Sequence, residues 1–275
     1  MFEKNLTRRN VMEFNRQDIK MNAKNAFKAS YWPMVGITIL GELILAAASA
    51  ATMIPMVGLL SSIMLVPLLS VAFTYFYYTV YMGGTPNSGQ LFDGFRDGRM
   101  GHVMGGFWYR SLFLMLWGLI QVVPMLVYYF CTIFGWILIQ NMANEAAIVI
   151  HTIKNVSYVL MTIGGIIVYI KGLQYSMIPY ILMDQPEVSA TAALKLSKDM
   201  TKGYKMKMFV YGLSFLGWDI LSVITCGIVW IFYVGPYRLT ADAGIYDCLK
   251  RIYTGDDQMT YESQAEETVV EEVTE

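Results

Sequence analysis

Charged and polar side chains inside apolar stretches are the residues of this sequence that could bind a ligand. The run KGLQY places Lys171, Gln174 and Tyr175 on one helix face, because residues three and four positions apart are neighbours on a helix. Two carboxylates, Glu42 and Asp219, also lie within apolar runs. A charge at the centre of a bilayer costs at least about 2.5–3.5 kcal/mol unless it finds a partner or a polar cavity. These five residues therefore form the candidate ligand-binding set.

The depth of each charge in the membrane suggests how these residues pair. If the fourth apolar span covers 157–177, Lys171 lies about 9 Å from the inner edge and its amine reaches the headgroups. A span over 163–183 would place it near the midplane, but the polar, basic segment that follows favours the first register. Glu42 lies about 12 Å deep, at a matching depth. We therefore predict a Glu42–Lys171 ion pair, with Asp219 facing an internal polar cavity. Charges that only fix helix packing, and snorkelling without a partner, stay open as alternatives.

Long apolar stretches must position these side chains. The chain has 275 residues, of which 56% are hydrophobic and 15% charged, whereas soluble domains are about 25% charged. About 20 apolar residues cross a hydrocarbon layer about 30 Å thick. The predicted fold class is therefore all-α, a polytopic membrane helix bundle with about six transmembrane helices. The spans are 34–54, 59–82, 107–129 with an extension toward 139, 156–183, and two within 208–250 separated by a tight turn near TCG.

The distribution of Lys and Arg predicts the orientation of the spans. With the N-terminus in the cytoplasm, the segments 1–33, 83–106 and 184–207 and the C-terminal region carry the cations, and the outer segments carry Lys154 alone. Cytoplasmic loops are rich in Lys and Arg, so both termini are predicted to be cytoplasmic. AAASA in the first span resembles a signal-peptide cleavage site, but the long polar segment before it favours an uncleaved anchor.

Two basic segments are typical of amphipathic helices that lie at a membrane surface. Ile19 and Phe27 share the apolar face of the first, and Ala192, Leu196 and Met200 form an apolar stripe on the second. Such helices bind anionic headgroups at about 1 kcal/mol per basic residue; anchoring of the topology is the simpler alternative. The predicted headgroup contacts are Lys20, Lys24, Lys28, Lys195, Lys198 and Lys202.

Charge divides the chain into three parts. A basic cytoplasmic segment (1–33) precedes the six-helix transmembrane domain (34–250), and an acidic cytoplasmic tail (251–275) is predicted to be disordered. The residues after Gly255 hold eight of the 21 acidic residues and no Lys or Arg, which leaves 20 basic against 13 acidic residues in the remainder. Membrane lipids, anionic phospholipid above all, are the expected partners, with a basic protein at the tail. Nucleic acid is not expected, because the cations flank apolar spans instead of lining a groove with stacking aromatics.

The sequence carries no enzyme signature. The cysteines Cys131, Cys226 and Cys248 and the histidines His102 and His151 lack metal-ligand spacing, so neither a metal nor another cofactor is predicted. GLSFLG is not a Gly-x-Ser-x-Gly elbow. DGFRDGR lacks the downstream paired aspartates that phospholipid-headgroup transferases use to bind metal. We therefore predict a protein that is not an enzyme.

Four segments carry a resemblance: LFDGF, YSMIPYILMDQPEVSATAALKLSKDMTKGYKMKMF, LSFLGW and PYRLTADAGIY. They resemble the bacterial integral membrane family known as domain of unknown function nine hundred seventy-five, from about Ala23 to Lys250 and most specifically over 171–248. The chain departs from the family pattern in a longer 122–170 interval and in Met206, where tryptophan is usual. The resemblance implies a multi-pass protein of a bacterial plasma membrane and supplies no activity.

Two functions fit these observations. The first is transport or handling of a lipid or small amphiphile through a polar cavity formed by Glu42, Lys171, Gln174 and Asp219. The alternative is a non-catalytic membrane scaffold that binds anionic lipid through its basic helices and a protein partner through its acidic tail.

Overall fold

A computed structural model describes residues 14–50, 54, 61–87, 89, 99–139 and 144–255. Within these ranges the regular elements are all helical, which confirms the predicted all-α class. The predictions for 1–13 and for the acidic tail from 256 onward lie outside the described residues. The helices are α1 (Arg16–Ala29), α2 (Tyr31–Ala50), α3 (Val66–Tyr81), α4 (Arg99–Ile139), α5 (Asn144–Gln174), α6 (Ile178–Asp184), α7 (Ala190–Met200), α8 (Lys205–Leu213), α9 (Leu216–Ile224) and α10 (Gly235–Thr254). Two π-helical segments, Ser61–Leu65 and Trp230–Val234, lead into α3 and α10.

Five stretches of helix in the described part of the chain are long and apolar enough to cross a membrane. The count is one below the predicted six, because the region taken as the sixth span continues into α10, which carries Arg238, Asp242, Asp247, Lys250 and Arg251. The five stretches are Tyr31–Ala48, Ile63–Tyr81, Met100–Gly135, Ala147–Asp184 and Lys205–Ile224.

The helices α4 and α5 form a long antiparallel hairpin. Gln121 donates a hydrogen bond from Nε2 to the Met161 carbonyl at 3.1 Å, and a side chain at Gly164 would come within 2.7 Å of Gln121, so the two helices approach closely there. The helix of the third span continues to Ile139, as predicted, and the part of it that is apolar enough to cross a membrane ends at Gly135. The predicted break over 140–155 is wrong from Asn144 onward, because α5 begins there and carries its polar residues as part of the helix.

Helix α10 lies at the centre of a second region and packs against α1, α2, α3 and α7. Tyr246 is fully buried on it and stacks on Tyr180 at 5.0 Å between ring centroids. A Cβ atom at Gly244 would approach both Tyr81 and Ile19, which shows how closely α3 and α1 pack on α10. Thus α10 carries five charged residues and is nevertheless among the most buried helices of the described chain.

Helix α1 has the predicted apolar face, but that face packs against protein. Ile19, Ala23 and Phe27 are buried, and the Phe27 ring lies 5.6 Å from the Tyr233 ring. The prediction that α1 lies with this face on the membrane surface is therefore wrong, because α10 and its leading segment already cover it.

The second amphipathic segment forms α7 with a different buried face. Ser189 caps its N-terminus by accepting a hydrogen bond from the backbone N–H of Ala192. The residue Ala192 itself is exposed. The buried residues include Ala193 and Ser197, and the Ser197 hydroxyl donates to the Gln174 carbonyl at 2.9 Å. The buried face passes through Ala193 and Ser197, one position after the predicted Ala192 and Leu196, and meets the prediction at Met200. The sequence pattern missed Ser197 because serine is polar, although a serine with a hydrogen-bond partner can be buried.

The predicted turn near TCG is confirmed. Cys226 and Gly227 have positive φ values of 50° and 85°. After the turn the chain returns beside α2 and α1, where Trp230 donates to Glu42 at 3.3 Å and the Tyr237 hydroxyl donates to the Lys20 carbonyl at 3.4 Å. The start of α1 and the end of α10 therefore lie at the same end of the molecule.

Candidate functional site

The predicted Glu42–Lys171 ion pair is wrong. Glu42 is exposed and accepts a hydrogen bond from the Trp230 indole. The Lys171 ammonium lies 3.9 Å from the centre of the Trp117 ring, a cation–π contact across the α4–α5 hairpin. Matching depths did not bring the two residues together, because depth along two helices says nothing about which faces meet.

Asp219 does not face a polar cavity, because it is paired with Arg238. The Arg238 guanidinium nitrogen Nη1 lies 2.6 Å from both oxygens of this carboxylate. Asp242 lies four residues after Arg238 on α10, but it accepts a hydrogen bond from the Tyr211 hydroxyl at 2.8 Å. These contacts join α9 and α8 to α10.

The same face of α10 carries two further polar residues, Tyr246 and Lys250. Both contact Asp184, with the Tyr246 hydroxyl at 2.6 Å and the Lys250 ammonium at 2.8 Å from Oδ2. Arg238, Asp242, Tyr246 and Lys250 are spaced four residues apart and so form one row along the helix. Every member of this row has a partner within the protein, which makes the row a structural network.

The six lysines predicted to contact headgroups behave differently from one another. Lys20 is half-buried, donates to the Ser214 hydroxyl at 2.9 Å and lies 4.1 Å from the centre of the Phe215 ring, so its ammonium is engaged by protein groups. The remaining five are exposed: Lys24, Lys28, Lys195, Lys198 and Lys202.

Three lysines from three different elements form a basic cluster. Lys171 is in the last turn of α5, Lys198 is in the last turn of α7, and Lys205 begins α8. Ser197, the neighbour of Lys198, donates to the Gln174 carbonyl at the end of α5 at 2.9 Å, and α8 packs against α5. Lys198 and Lys205 therefore lie near enough to Lys171 for their like charges to repel it. In the part of the chain that the structure describes, no carboxylate forms an ion pair with any of the three. We call Lys171, Lys198 and Lys205 the lysine cluster.

Packing around Lys171 fixes the position of the lysine cluster. Tyr169, two residues earlier on α5, contacts the Phe209 ring of α8 at 5.9 Å between centroids. Trp117 provides an aromatic face on the opposite side. Because mutual repulsion of the three ammonium groups opposes this arrangement, a bound anion would stabilise it. The cluster can therefore hold an anionic group beside an aromatic ring.

The other two predicted ligand-binding residues are largely structural. Tyr175 is buried and its ring meets that of Phe113 edge-on at 6.4 Å. Gln174 is also buried, and its backbone carbonyl accepts the hydrogen bond from Ser197. Its side-chain oxygen Oε1 has no hydrogen-bond partner among the described residues.

The sequence prediction missed Lys205 and Trp117. Lys205 was counted only as a cytoplasmic cation, because its closeness to Lys171 depends on how α8 packs on α5. Trp117 lies in the middle of an apolar run, where nothing in its neighbourhood marks it. The clustering of lysines in 195–207 was the one available signal, since five lysines against the single acid Asp199 favour anion binding.

Comparison with known proteins yields one match. Residues 12–252 match the protein family described as "Protein of unknown function (DUF975)". No curated protein and no solved structure matches the chain.

Proposed function

The chain belongs to the DUF975 family, and we propose that it is a non-catalytic, multi-pass membrane protein that binds and handles an anionic lipid. The headgroup binds at the lysine cluster, and the acyl chains lie along the apolar surface of the α4–α5 hairpin. This proposal keeps Lys171 from the predicted site and replaces its partners Glu42 and Asp219 with Lys198 and Lys205.

The observation that carries the proposal is the absence of a carboxylate partner for these three cations in the described chain. A lipid phosphate supplies the missing negative charge and accepts hydrogen bonds from ammonium groups. Trp117 adds an amphipathic ring of the kind that is enriched at membrane interfaces. Lys171 then lies in the shallow register, because Lys198 belongs to the polar segment between two spans and Lys205 is the first residue of the second.

We place the protein in a bacterial plasma membrane with both termini in the cytoplasm. This orientation needs an even number of crossings, so Lys205–Ile224 and the segment that returns after Gly227 enter and leave the membrane on the same side. Lys20 contacts both Ser214, before the turn, and Tyr237, after it, which supports this path. The positive-inside rule favours this orientation. The antiparallel packing of α1 on α10 supports both ends lying on one side, and the charged part of α10 then lies outside the hydrocarbon layer, next to α1.

A scaffold is the second candidate function. Lys24, Lys28, Lys195 and Lys202 are exposed and remain free to contact an anionic membrane surface. The acidic residues after Gly255 would recruit a basic protein. In this case lipid contacts anchor the protein, and the tail carries its function.

Native mass spectrometry of the protein extracted gently from its own membrane separates these functions. Lys154 offers a matched control for Lys171, because it is also on α5 and also lies over an aromatic ring, that of Tyr128 at 5.7 Å. We expect the wild type and Lys154→Leu to carry a discrete anionic lipid, and Lys171→Leu to lose it. Equal lipid content in all three proteins contradicts the proposal. A protein partner that disappears on deletion of 256–275 favours the scaffold.

A further inference from the structure

A second cation, Arg110 on α4, lies at the seam between α4 and the segment α5–α7. Two neighbouring positions define its environment. Gly106, one turn before it, packs against Leu182 of α6, and Phe113, one turn after it, contacts Tyr175 at the end of α5. Arg110 is on the same face of the helix and therefore points into this seam.

The guanidinium of Arg110 has no protein partner within the described chain. Its Nε atom is buried without a hydrogen bond, and no carboxylate of the described residues forms an ion pair with it. Arg238, which is half-buried like Arg110, instead holds Asp219 at 2.6 Å. A buried cation without a counter-charge is strongly unfavourable, so an anion is expected beside it.

A second observation points to the same seam. Three buried side-chain atoms of the described residues lack hydrogen-bond partners: His102 Nε2, Arg110 Nε and Gln174 Oε1. His102 and Arg110 are eight residues apart on one stripe of α4, and Gln174 contacts α7, which also packs on α4. Gln174 is 96% buried, with a relative exposure of 4%. Unsatisfied groups of this kind are rare in folded proteins, and two of the three, Arg110 and Gln174, belong to helices that pack together and both meet α7.

We propose that Arg110 is the binding residue of a phosphate site at this seam. The planar fork of a guanidinium matches the oxygens of a phosphate in a bidentate contact. The Oε1 atom of Gln174 would accept a hydrogen bond from a hydroxyl group of the same ligand. The ligand class is a phosphate ester or inorganic phosphate, and Arg110 remains partly accessible, so such a group can reach it.

This site is separate from the lysine cluster. Arg110 precedes Trp117 by seven residues, which is about 10 Å along the helix axis. The inference therefore goes beyond the proposed function and does not depend on it. Variants at Lys171 test the lysine cluster, and variants at Arg110 test the phosphate site.

Thermal unfolding of the full chain in a neutral detergent and an anion-poor buffer tests the proposal. Without phosphate, we expect Arg110→Leu to raise the midpoint, because it removes a buried charge that lacks a partner. Arg238→Leu is the control and should lower the midpoint, because it leaves Asp219 unpaired. A midpoint for Arg110→Leu that falls as it does for Arg238→Leu would overturn the proposal, since it would mean that an acidic group of the chain already neutralises Arg110.

The response to ligand provides the second reading and separates the two sources of phosphate. One series receives inorganic phosphate at constant ionic strength, and the other receives phosphatidylglycerol in the detergent micelles. Both series use the Lys171→Leu background, so that lipid bound at the lysine cluster does not contribute. We expect Lys171→Leu to gain about 5 °C or more at saturation in at least one series, and the double variant with Arg110→Leu to gain nothing in that series. Arg110→Lys in the same background keeps the charge without the fork and should respond more weakly. Equal gains with and without Arg110→Leu would also overturn the site.

Discussion

The α4–α5 hairpin and the region around α10 differ in which side chains point outward and which point inward. Along the hairpin large apolar side chains point outward: Leu126 and Phe130 are each about 60% exposed, at 60% and 59%. On α10 few large apolar side chains are exposed, and polar groups such as Asp242 and Tyr246 point inward to partners within the protein. The hairpin therefore depends on an apolar solvent, whereas the α10 region depends on partners within the chain.

This difference indicates which part of the molecule contributes most to stability and which part is expected to bind a ligand. Polar groups inside the α10 region are matched to one another, so changing one member leaves another unpaired in a buried place. The hairpin has few internal polar contacts, and its exposed apolar faces lie against lipid under our proposal. Both candidate anion sites, the lysine cluster and Arg110, lie where the base of the hairpin meets α6–α8. The junction between the two regions is therefore the expected site of function.

Replacing one tyrosine in each region gives the largest contrast. Tyr246→Ala removes a fully buried ring that stacks on Tyr180 and donates to Asp184. We expect a loss of about 3–5 kcal/mol, as for other buried aromatic residues. Tyr129→Ala in the hairpin, where the side chain is 54% exposed, should change stability by about 0.5 kcal/mol or less. Unfolding of both variants in the same detergent measures this difference, and similar losses would mean that the hairpin is packed against protein.

The pH dependence of the α10 region should follow Asp242. Burial raises the pKa of Asp242 to about 6, and the negative charge of Asp219 also raises it, although the Tyr211 hydrogen bond and the Arg238 charge oppose both effects. Tyr180 also lies close to this carboxylate. The unfolded chain has a carboxyl pKa of about 3.9, so the folded state binds the proton more tightly. Its contribution to stability is therefore present below about pH 4 and is lost as the pH rises toward 6.

The measurement is the thermal midpoint of wild type relative to Asp242→Asn between pH 4 and 7. The wild type should lose up to about 3 kcal/mol relative to the variant over this interval. A carboxylate whose pKa were lowered by Arg238 would give the opposite sign. Curves that run parallel would show that Asp242 does not titrate differently in the folded state, and would weaken the contrast with the hairpin, where no such dependence is expected.

The sequence predicted those features that depend on composition along the chain. Apolar runs gave the helices, and Cys226 with Gly227 marked the turn. Contacts between distant segments were the weak point. Asp219 and Arg238 are 19 residues apart, whereas the rule for neighbours on a helix would pair Arg238 with Asp242. Lys171 was recognised as unusual, but its neighbours Lys198 and Lys205 reach it only through the packing of α7 and α8 near the end of α5.

A pair of double-mutant cycles gives the smallest expected effect and tests this last distinction directly. Asp219→Asn and Arg238→Gln should show a coupling of about 1 kcal/mol, because the pair is close but its side chains are 33% and 29% exposed. Glu42→Gln and Lys171→Leu should be additive within about 0.5 kcal/mol, because neither residue contacts the other. Coupling in the second cycle would restore the Glu42–Lys171 pair and remove the free cation on which the lysine cluster depends. Additivity in both would mean that the α10 network is as weakly coupled as the hairpin, and the contrast between the two regions would then rest on apolar packing alone.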